Sequence, residues 1–392
     1  MATEEEMNAL WGEPAGPPER DQLSNRLFQY LTPMMSGVDT DLDIPPPTAL
    51  SALPPPGICE PLVDAFFEQI APIYPVFDEN SFRDSLQLYF AGENADDRLF
   101  NVLVKLVLCT GAAGSNDCNM QSETATLRDE LFTQVIATAP LLVFRVRNIK
   151  VIQVLFLTAL YWVQLKKAEL AWEWCRWGIR MHRPWFVRVR PKVIVMDGAE
   201  TQAAADKLTW CLYILENTLA LNQYRDDLQF PDSSVPLPGE AVRSAHPVFC
   251  IRLSLTRQCN AFLNAIRDPP VDAVALAESL GRIYAGIGEW RSSVPMNYQP
   301  ENEIFADSAE YQAVLLMHME YHTLLLSLFT TLNASWRILR ADKAYERHPF
   351  APVRNQINLR ITHARRLLRT VKAVSETAEL KPAVGCWYVL PN

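Results

Sequence analysis

Two histidines one helical turn apart have a spacing that could bind a metal ion. His318 and His322 lie in the segment His-Met-Glu-Tyr-His, so a helix would place both imidazoles on one side. A zinc protease needs a glutamate directly after the first histidine, whereas Glu320 comes two positions after it. No third ligand is evident nearby in the sequence. Because the surrounding segment is apolar, a packed and hydrogen-bonded pair in the core is the simpler interpretation, and we predict no metal site.

A second candidate site lies between residues 162 and 192, where tryptophans are interleaved with basic residues. Such side chains can bind nucleic acids through stacking and phosphate contacts. Helical spacing of the apolar residues Leu170, Trp174, Trp177 and Met181 favours instead a core stripe, with the arginines on the solvated side. A third interpretation is a small-molecule pocket between helices. Its candidate ligand-binding residues are Trp177, Arg180, His182 and Arg183.

Acidic residues near position 226 form a third candidate site. Asp226 and Asp227 follow Arg225 and Tyr224, and Glu216 lies one helix face away, so a carboxylate pair could carry out acid/base chemistry. The simpler account is a helix that ends in a polar loop. We keep Tyr224, Arg225 and Asp226 as candidate ligand-binding residues together with those of the second site.

The sequence lacks the common catalytic signatures. No G-x-G-x-x-G, G-x-x-x-x-G-K-[ST] or G-x-S-x-G pattern occurs, so we predict no cofactor and consider an enzyme the less favoured class. The eight cysteines include no C-x-x-C pair, which fits a reduced intracellular setting. The apolar stretch 151–163 is too short to cross a bilayer, so we predict no membrane association.

Charge and proline content divide the chain at residue 58. Residues 1–58 contain nine acidic and two basic residues and ten of the 28 prolines, while the whole chain has a net charge of −9. This composition predicts an acidic, proline-rich, disordered tail. This composition is typical of disordered segments that fold onto a partner. It is equally typical of an N-terminal segment that only keeps the protein in solution. The remaining body, residues 59–392, is nearly neutral, so we predict that it does not bind nucleic acid directly.

Apolar periodicity in residues 59–392 is helical almost throughout. One stripe recurs from Leu208 to Leu219, and another passes through Ile357, Ile361, Ala364, Leu368 and Val371. Residues 314–329 are apolar nearly all round, as in a central helix. The one strand-like segment, 187–195, is interrupted by a proline. We therefore predict an all-α fold, with further helices at 61–71, 81–91, 97–112, 124–138, 148–166, 168–182, 245–266, 271–291 and 334–346.

Four stretches, taken in order, resemble the middle homology region of fungal binuclear zinc-cluster transcription factors. The first, 62–82, contains a helix with Phe66-Phe67 and the turn Ile73-Tyr74-Pro75. The second, 152–181, resembles an apolar helix followed by the family's A-W…G-x-A-x-R-M helix. The third, 208–238, resembles its W-W…D-R…L-P segment, and the fourth, 315–328, resembles its Y-H-x-L-L-x-L-L helix. Their order and spacing make the combination specific.

The resemblance implies a large all-α domain that receives regulatory input and forms dimer or coactivator contacts. The implied partners are a related transcription factor or coactivator, a small-molecule effector and a second copy, and the implied location is the nucleus, with the cytoplasm as the alternative. The family's zinc cluster has six closely spaced cysteines, whereas no two cysteines here lie closer than Cys109 and Cys118. We therefore expect no zinc-cluster module, and the helical domain is expected to be short at its C-terminal end.

Three functions compete at this point. The first is a transcriptional regulator that acts through partners or an effector without its own zinc cluster, in control of a fungal metabolic pathway. The second is a repurposed scaffold that acts as an enzyme or small-molecule binder in fungal secondary metabolism. The third is a truncated product with little function of its own. Because spacing reveals no catalytic constellation, we favour the regulator.

Overall fold

The computed structural model describes residues 52–93, 96–114, 121–143, 148–186, 198–223, 225, 227–230, 235–269, 273–302, 304, 308–341 and 360–369. Within these ranges the chain is helical and forms no strand, which confirms the all-α prediction. The predicted tail lies outside the described residues up to position 51, and so does the strand-like segment 187–195. The first described helix begins at Pro56, two residues before the predicted boundary.

The helices are numbered here in chain order. They are α1 (Pro56–Gln69), α2 (Glu79–Phe90), α3 (Arg98–Gly114), α4 (Gln121–Val143), α5 (Ile149–Gln164), α6 (Ala168–Phe186), α7 (Gly198–Gln223), α8 (Glu240–Ala245), α9 (Pro247–Arg267), α10 (Ala273–Ser293) and α11 (Ser308–Ala341). Residues 360–369 are also helical and are called the 360–369 helix below.

Local sequence determines where several of these helices begin. The Asp78 side chain accepts a hydrogen bond from the Ser81 backbone N–H at 3.0 Å and caps α2. Asn148 caps α5 in the same way through the Lys150 N–H at 3.2 Å. Proline at the first position of α1 has no N–H to leave unsatisfied, which suits a helix start.

The helices pack in two groups that share α7. In the first group α5 is buried nearly all round and contacts α3, α6 and α7, while α3 also packs against α1 and α4. In the second group α9 packs against α7, α10 and α11. Helix α11 contacts α7 and α1 as well, so it reaches both groups. The core is therefore continuous through α7 and α11.

The long helix α11 differs from the sequence prediction. Residues 314–329 and 334–346 were predicted as separate helices, whereas α11 runs without a break for 34 residues. No proline or glycine interrupts the sequence between them, so nothing ends the helix there. Its Glu310–Asn333 stretch is long and apolar enough to cross a membrane, but 83% of its most apolar window is buried against the rest of the protein. That is the burial expected of a core helix.

The 360–369 helix confirms the predicted helical periodicity, but its apolar stripe does not face the core. Ile361 and Leu368 are 43% and 56% exposed. His363 and Leu367 are the buried residues of this helix instead. The helix is rotated this way because His363 contacts His322 and Phe329 on α11. An apolar stripe therefore remains on the surface.

Candidate functional site

The residues predicted to bind a ligand differ in burial and in their contacts, as far as they are described. Trp177 and His182 are buried on α6, whereas Arg180 on the same helix is exposed. Arg225 lies over the ring of Trp172, which was not among the predicted residues. Tyr224 and Asp226 lie outside the described residues, and Arg183 is in α6 with its side chain outside them.

The three tryptophans of α6 whose side chains are described belong to the core. Leu170, Trp174 and Trp177 are all less than 10% exposed, and the rings of the two tryptophans lie 5.7 Å apart. Trp172, which falls outside the predicted stripe, is completely buried too. The structure therefore supports the core-stripe interpretation of this helix over a stacking surface for nucleic acid.

His182 acts as a neutral hydrogen-bond donor inside this core. Its Nε2 lies 2.5 Å from Thr209 Oγ1, and that hydroxyl donates its own proton to the Ala205 carbonyl at 2.9 Å. Because a hydroxyl has one proton, Nε2–H of His182 must be the donor, and Nδ1 remains as a buried acceptor. Burial lowers the pKa of His182 to about 4. The group is therefore uncharged at neutral pH and unsuited to donating a catalytic proton.

Two ion pairs connect α6 to the segment that follows α7. Arg176 on α6 contacts the Asp227 carboxylate at 2.5 Å, and Arg225 pairs with Glu169 on α6. Both guanidinium carbons lie 5.8 Å from the ring centre of Trp172. Asp227 is thus held by an arginine, in line with the interpretation of this region as a polar loop.

Glu216 on α7 also binds the segment that follows α7, and it does so from the interior of the protein. Its carboxylate is fully buried and accepts hydrogen bonds from the backbone N–H groups of Gln229 at 2.6 Å and Phe230 at 3.2 Å. Burial raises the pKa of Glu216 to about 7, although the two backbone donors act in the opposite direction. Asn260 on α9 donates to the Phe230 carbonyl at 3.3 Å. The segment after α7 is therefore bound to the core through its backbone.

The strongest polar contact in the interior joins α9 to α11. Arg252 is 1% exposed, and its Nε and a terminal nitrogen donate to the two carboxylate oxygens of Glu320 at 2.8 and 2.7 Å. Such a two-point contact is the most favourable geometry for an arginine–carboxylate pair. Burial alone would lower the pKa of Arg252, but Glu320 and Tyr74 more than offset it, so the pKa lies above its ordinary value. The guanidinium is permanently charged.

Three further groups complete this network, which we call the Arg252 hub. Arg252 also donates to the Tyr74 hydroxyl at 3.0 Å and the Ile73 carbonyl at 3.3 Å, and Thr218 on α7 donates to Glu320 at 2.9 Å. The guanidinium carbon lies 4.8 Å from the centre of the Tyr74 ring, a cation–π contact. The hub joins the α1–α2 connection with helices α7, α9 and α11.

A small cavity borders the Arg252 hub. Its volume is about 20 Å³, enough for one water molecule. Glu320, Asn217 and Thr218 supply polar groups, and the other lining residues are Leu221, Leu255, Thr256, Cys259 and Leu324. A metabolite does not fit in this volume without movement of the helices.

The two histidines of α11 are hydrogen-bonded, each to a different segment. His318 Nε2 lies 2.9 Å from the Tyr298 carbonyl, and His322 Nδ1 lies 3.1 Å from Nδ1 of His363. Burial, followed by the positive field of His363, lowers the pKa of His322 to about 3. In the described part of the chain, no group of three or more His, Cys, Asp or Glu side chains could hold a metal ion. The core interpretation of this pair accounts for both contacts.

Sequence reasoning missed Arg252, although a signal for it was present. Arg252 follows Phe249 by three positions and precedes Thr256 by four, so it falls on the buried stripe of α9. A charged residue at such a position predicts a buried partner. The sequence pattern singled out its partner Glu320 only because a zinc protease would have a glutamate one position earlier. Nothing local to either residue indicates that the two side chains meet.

These features define a helical scaffold whose buried polar groups bind helices to one another. Residues 63–239 match the fungal specific transcription factor domain. The match covers the first three resembling stretches and supports a transcription-regulator type of role. No curated protein and no solved structure matches the chain. Arg252 and Glu320 lie beyond the matched region, whereas Tyr74 and Thr218 lie within it.

Proposed function

We propose that this protein regulates transcription in the nucleus by contacting protein partners, either a related transcription factor or a coactivator. The family match over residues 63–239 supports the regulatory role. The proposal adds that the helical body is a scaffold for those contacts and that it does not read DNA itself. It also adds that the regulated genes belong to a metabolic pathway.

The observation that supports this proposal is that the polar groups of the Arg252 hub are hydrogen-bonded to one another inside the protein. Arg252 donates to Glu320, Tyr74 and the Ile73 carbonyl, and Glu320 also accepts from Thr218. Groups engaged in this way hold four parts of the chain in place and are not poised to react with a substrate. A rigid scaffold presents its surfaces in fixed positions, as specific recognition of another protein requires.

A tethering experiment tests the proposal. The full chain is fused to an unrelated DNA-binding module, and a reporter gene is placed under that module's site. A regulator acting through partners changes reporter output by several-fold, and the untethered chain accumulates in the nucleus. Transcript profiling after overexpression identifies the metabolic genes. A cytosolic protein whose tethered form leaves the reporter unchanged would contradict the proposal.

The matched control uses the scaffold itself. The fusion carrying Arg252→Met breaks the hub, which lowers its unfolding free energy, and it is expected to lose reporter output at a temperature at which it unfolds and the unchanged fusion does not. The fusion carrying Lys167→Glu changes an exposed residue and should retain both. Output that survives loss of the folded state would show that the helical body is not needed.

A further inference from the structure

The exposed stripe of the 360–369 helix is the surface on which this inference rests. Ile361 and Leu368 are seven positions apart, two helical turns, and therefore lie on one side of the helix. They are 43% and 56% exposed, as stated above. Contiguous apolar surface rimmed by polar residues marks protein-binding sites, and two large aliphatic side chains on one helix face contribute to such a surface. We call this surface the Ile361–Leu368 face.

The opposite side of the same helix is firmly attached to the body, so the orientation of the face is fixed. His363 Nδ1 lies 3.1 Å from His322 Nδ1, and the His363 ring stacks on Phe329 with a centre separation of 6.1 Å. Arg366 forms an ion pair with Glu301. Both attachments use residues on the side of the helix opposite Ile361 and Leu368, so these described contacts do not cover the face.

The charge around the face is positive. Residues 360–369 contain four arginines and no acidic residue, in a chain with a net charge of −9. Arg366 is paired with Glu301, but Arg365 and Arg369 are exposed on the outer side, next to Leu368. Two guanidinium groups beside an aliphatic pair attract a segment that carries carboxylates around bulky apolar residues.

We propose that the Ile361–Leu368 face binds a partner protein through an acidic segment that carries bulky apolar side chains. The apolar residues of that segment cover Ile361 and Leu368, and its carboxylates pair with Arg365 and Arg369. Nucleic acid is the less favoured occupant, because a phosphate backbone covers no aliphatic surface. This inference rests on the proposed function, since it names the chemistry of the partner.

A binding experiment with a defined probe tests the proposal. The probe is a fluorescent synthetic peptide in which leucines at i and i+7 are surrounded by glutamates, and its anisotropy is followed as the full-length protein is added. A second peptide has serines in place of the leucines, and a third probe is a duplex DNA. We expect the first peptide to bind, the second to bind about tenfold more weakly, and added salt to weaken binding.

Surface variants locate the binding site on the protein. The double variant Ile361→Ser/Leu368→Ser and the double variant Arg365→Glu/Arg369→Glu should each weaken binding of the first peptide about tenfold. Both change exposed residues, so thermal unfolding is expected to match that of the unchanged protein. Met296→Ser, at an 81% exposed position, and Lys167→Glu are the matched apolar and charge controls.

Four outcomes would overturn the proposal: no peptide binding, binding that is insensitive to both double variants, preferential binding of DNA through the arginines, or a dimer that dissociates in the Ile361→Ser/Leu368→Ser variant. The last outcome would assign the face to a second copy of the chain. If the tethered fusion still changes reporter output while the peptide fails to bind, this inference is wrong and the proposed function stands. If both assays are negative, both proposals fail.

Discussion

The guanidinium of Arg252 and the carboxylate of Glu320 form two hydrogen bonds of 2.8 and 2.7 Å in the interior, across a separation of 68 residues in the sequence. Each residue is also bonded to a part of the chain within the family match, Arg252 to Tyr74 and Glu320 to Thr218. Residues beyond position 239 thus complete the core of the matched region. The unit that folds is larger than the region that the family match defines.

Breaking this pair on one side should be strongly destabilising. Arg252→Met leaves a buried carboxylate without its cation, and Glu320→Leu leaves a buried guanidinium without its anion, so each variant should lose about 3–5 kcal/mol of unfolding free energy. The double variant Arg252→Met/Glu320→Leu removes both charges and should be more stable than either single variant. Urea denaturation followed by circular dichroism measures all three. Purely additive losses in the double variant would contradict the coupling.

Glu216 should make the protein less stable as the pH rises toward neutrality. Its pKa is raised from 4.5 to about 7 in the folded state, so between these values the unfolded chain releases a proton that the folded protein keeps. The contribution of Glu216 to stability therefore falls by roughly 3 kcal/mol as the pH rises from about 4.5 to 7 and is level above that. Glu216→Gln should remove this contribution, so the difference in unfolding free energy between the variant and the unchanged protein should change with pH over this interval.

The Glu216 measurement needs a control for general charge effects. Glu289 is an exposed glutamate on α10, and Glu289→Gln should leave the pH dependence of unfolding unchanged. Denaturation midpoints between pH 4.5 and 8 give the comparison. An identical slope in Glu216→Gln and the unchanged protein would show that Glu216 titrates normally.

His182 should act in the opposite direction over an overlapping pH interval, so the two contributions partly cancel in the unchanged protein and are separated by comparing variants. Burial lowers the pKa of His182 from 6.5 to about 4, so as the pH falls through this interval the unfolded chain takes up a proton that the folded protein does not. The contribution of His182 to stability is therefore lost toward acid, by roughly 3 kcal/mol in total. His182→Leu should reduce this loss, as measured by unfolding between pH 7 and 4. Nitrogen NMR should also show the Nε2–H tautomer at neutral pH, and an Nδ1–H signal would refute the assigned hydrogen bond.

Gly111 marks the closest approach of α1 and α3. A Cβ atom placed there would lie 2.1 Å from the Leu62 carbonyl oxygen, and the next nearest atoms are also backbone atoms of α1. Because backbone cannot move aside as a side chain can, Gly111→Ala should force the two helices apart and cost several kcal/mol of unfolding free energy, on the order of 3 kcal/mol.

The matched control for this substitution is another helical glycine. Gly288 on α10 has nothing within 4 Å of an added Cβ. Gly288→Ala should therefore stabilise the protein by about 0.5–1 kcal/mol, because alanine favours the helix. Thermal unfolding of the two variants should shift in opposite directions. A Gly111→Ala protein as stable as the unchanged one would mean that α1 and α3 do not approach so closely.

The helical fold followed from patterns that act over short distances. Apolar residues at helical spacing predicted most of the helices, and the caps at Asp78 and Asn148 depend on neighbouring residues alone. The break predicted within α11 was wrong, because residues 308–341 contain no proline or glycine to end a helix. The described residues of the predicted C-terminal apolar stripe do lie on a helix. That helix, however, buries His363 and Leu367 and leaves Ile361 and Leu368 exposed.

The amino-acid sequence by itself determined the helices, the family resemblance and the uneven distribution of charge, because each depends on residues close together in the chain. Only the tertiary structure decided which polar residues meet. It buried Trp177 and His182, left Arg180 exposed, and paired Arg252 with Glu320. It also left Ile361 and Leu368 on the surface. The physical reason is that helix packing fixes the rotation of each helix about its axis, and that rotation selects the buried side chains and their partners.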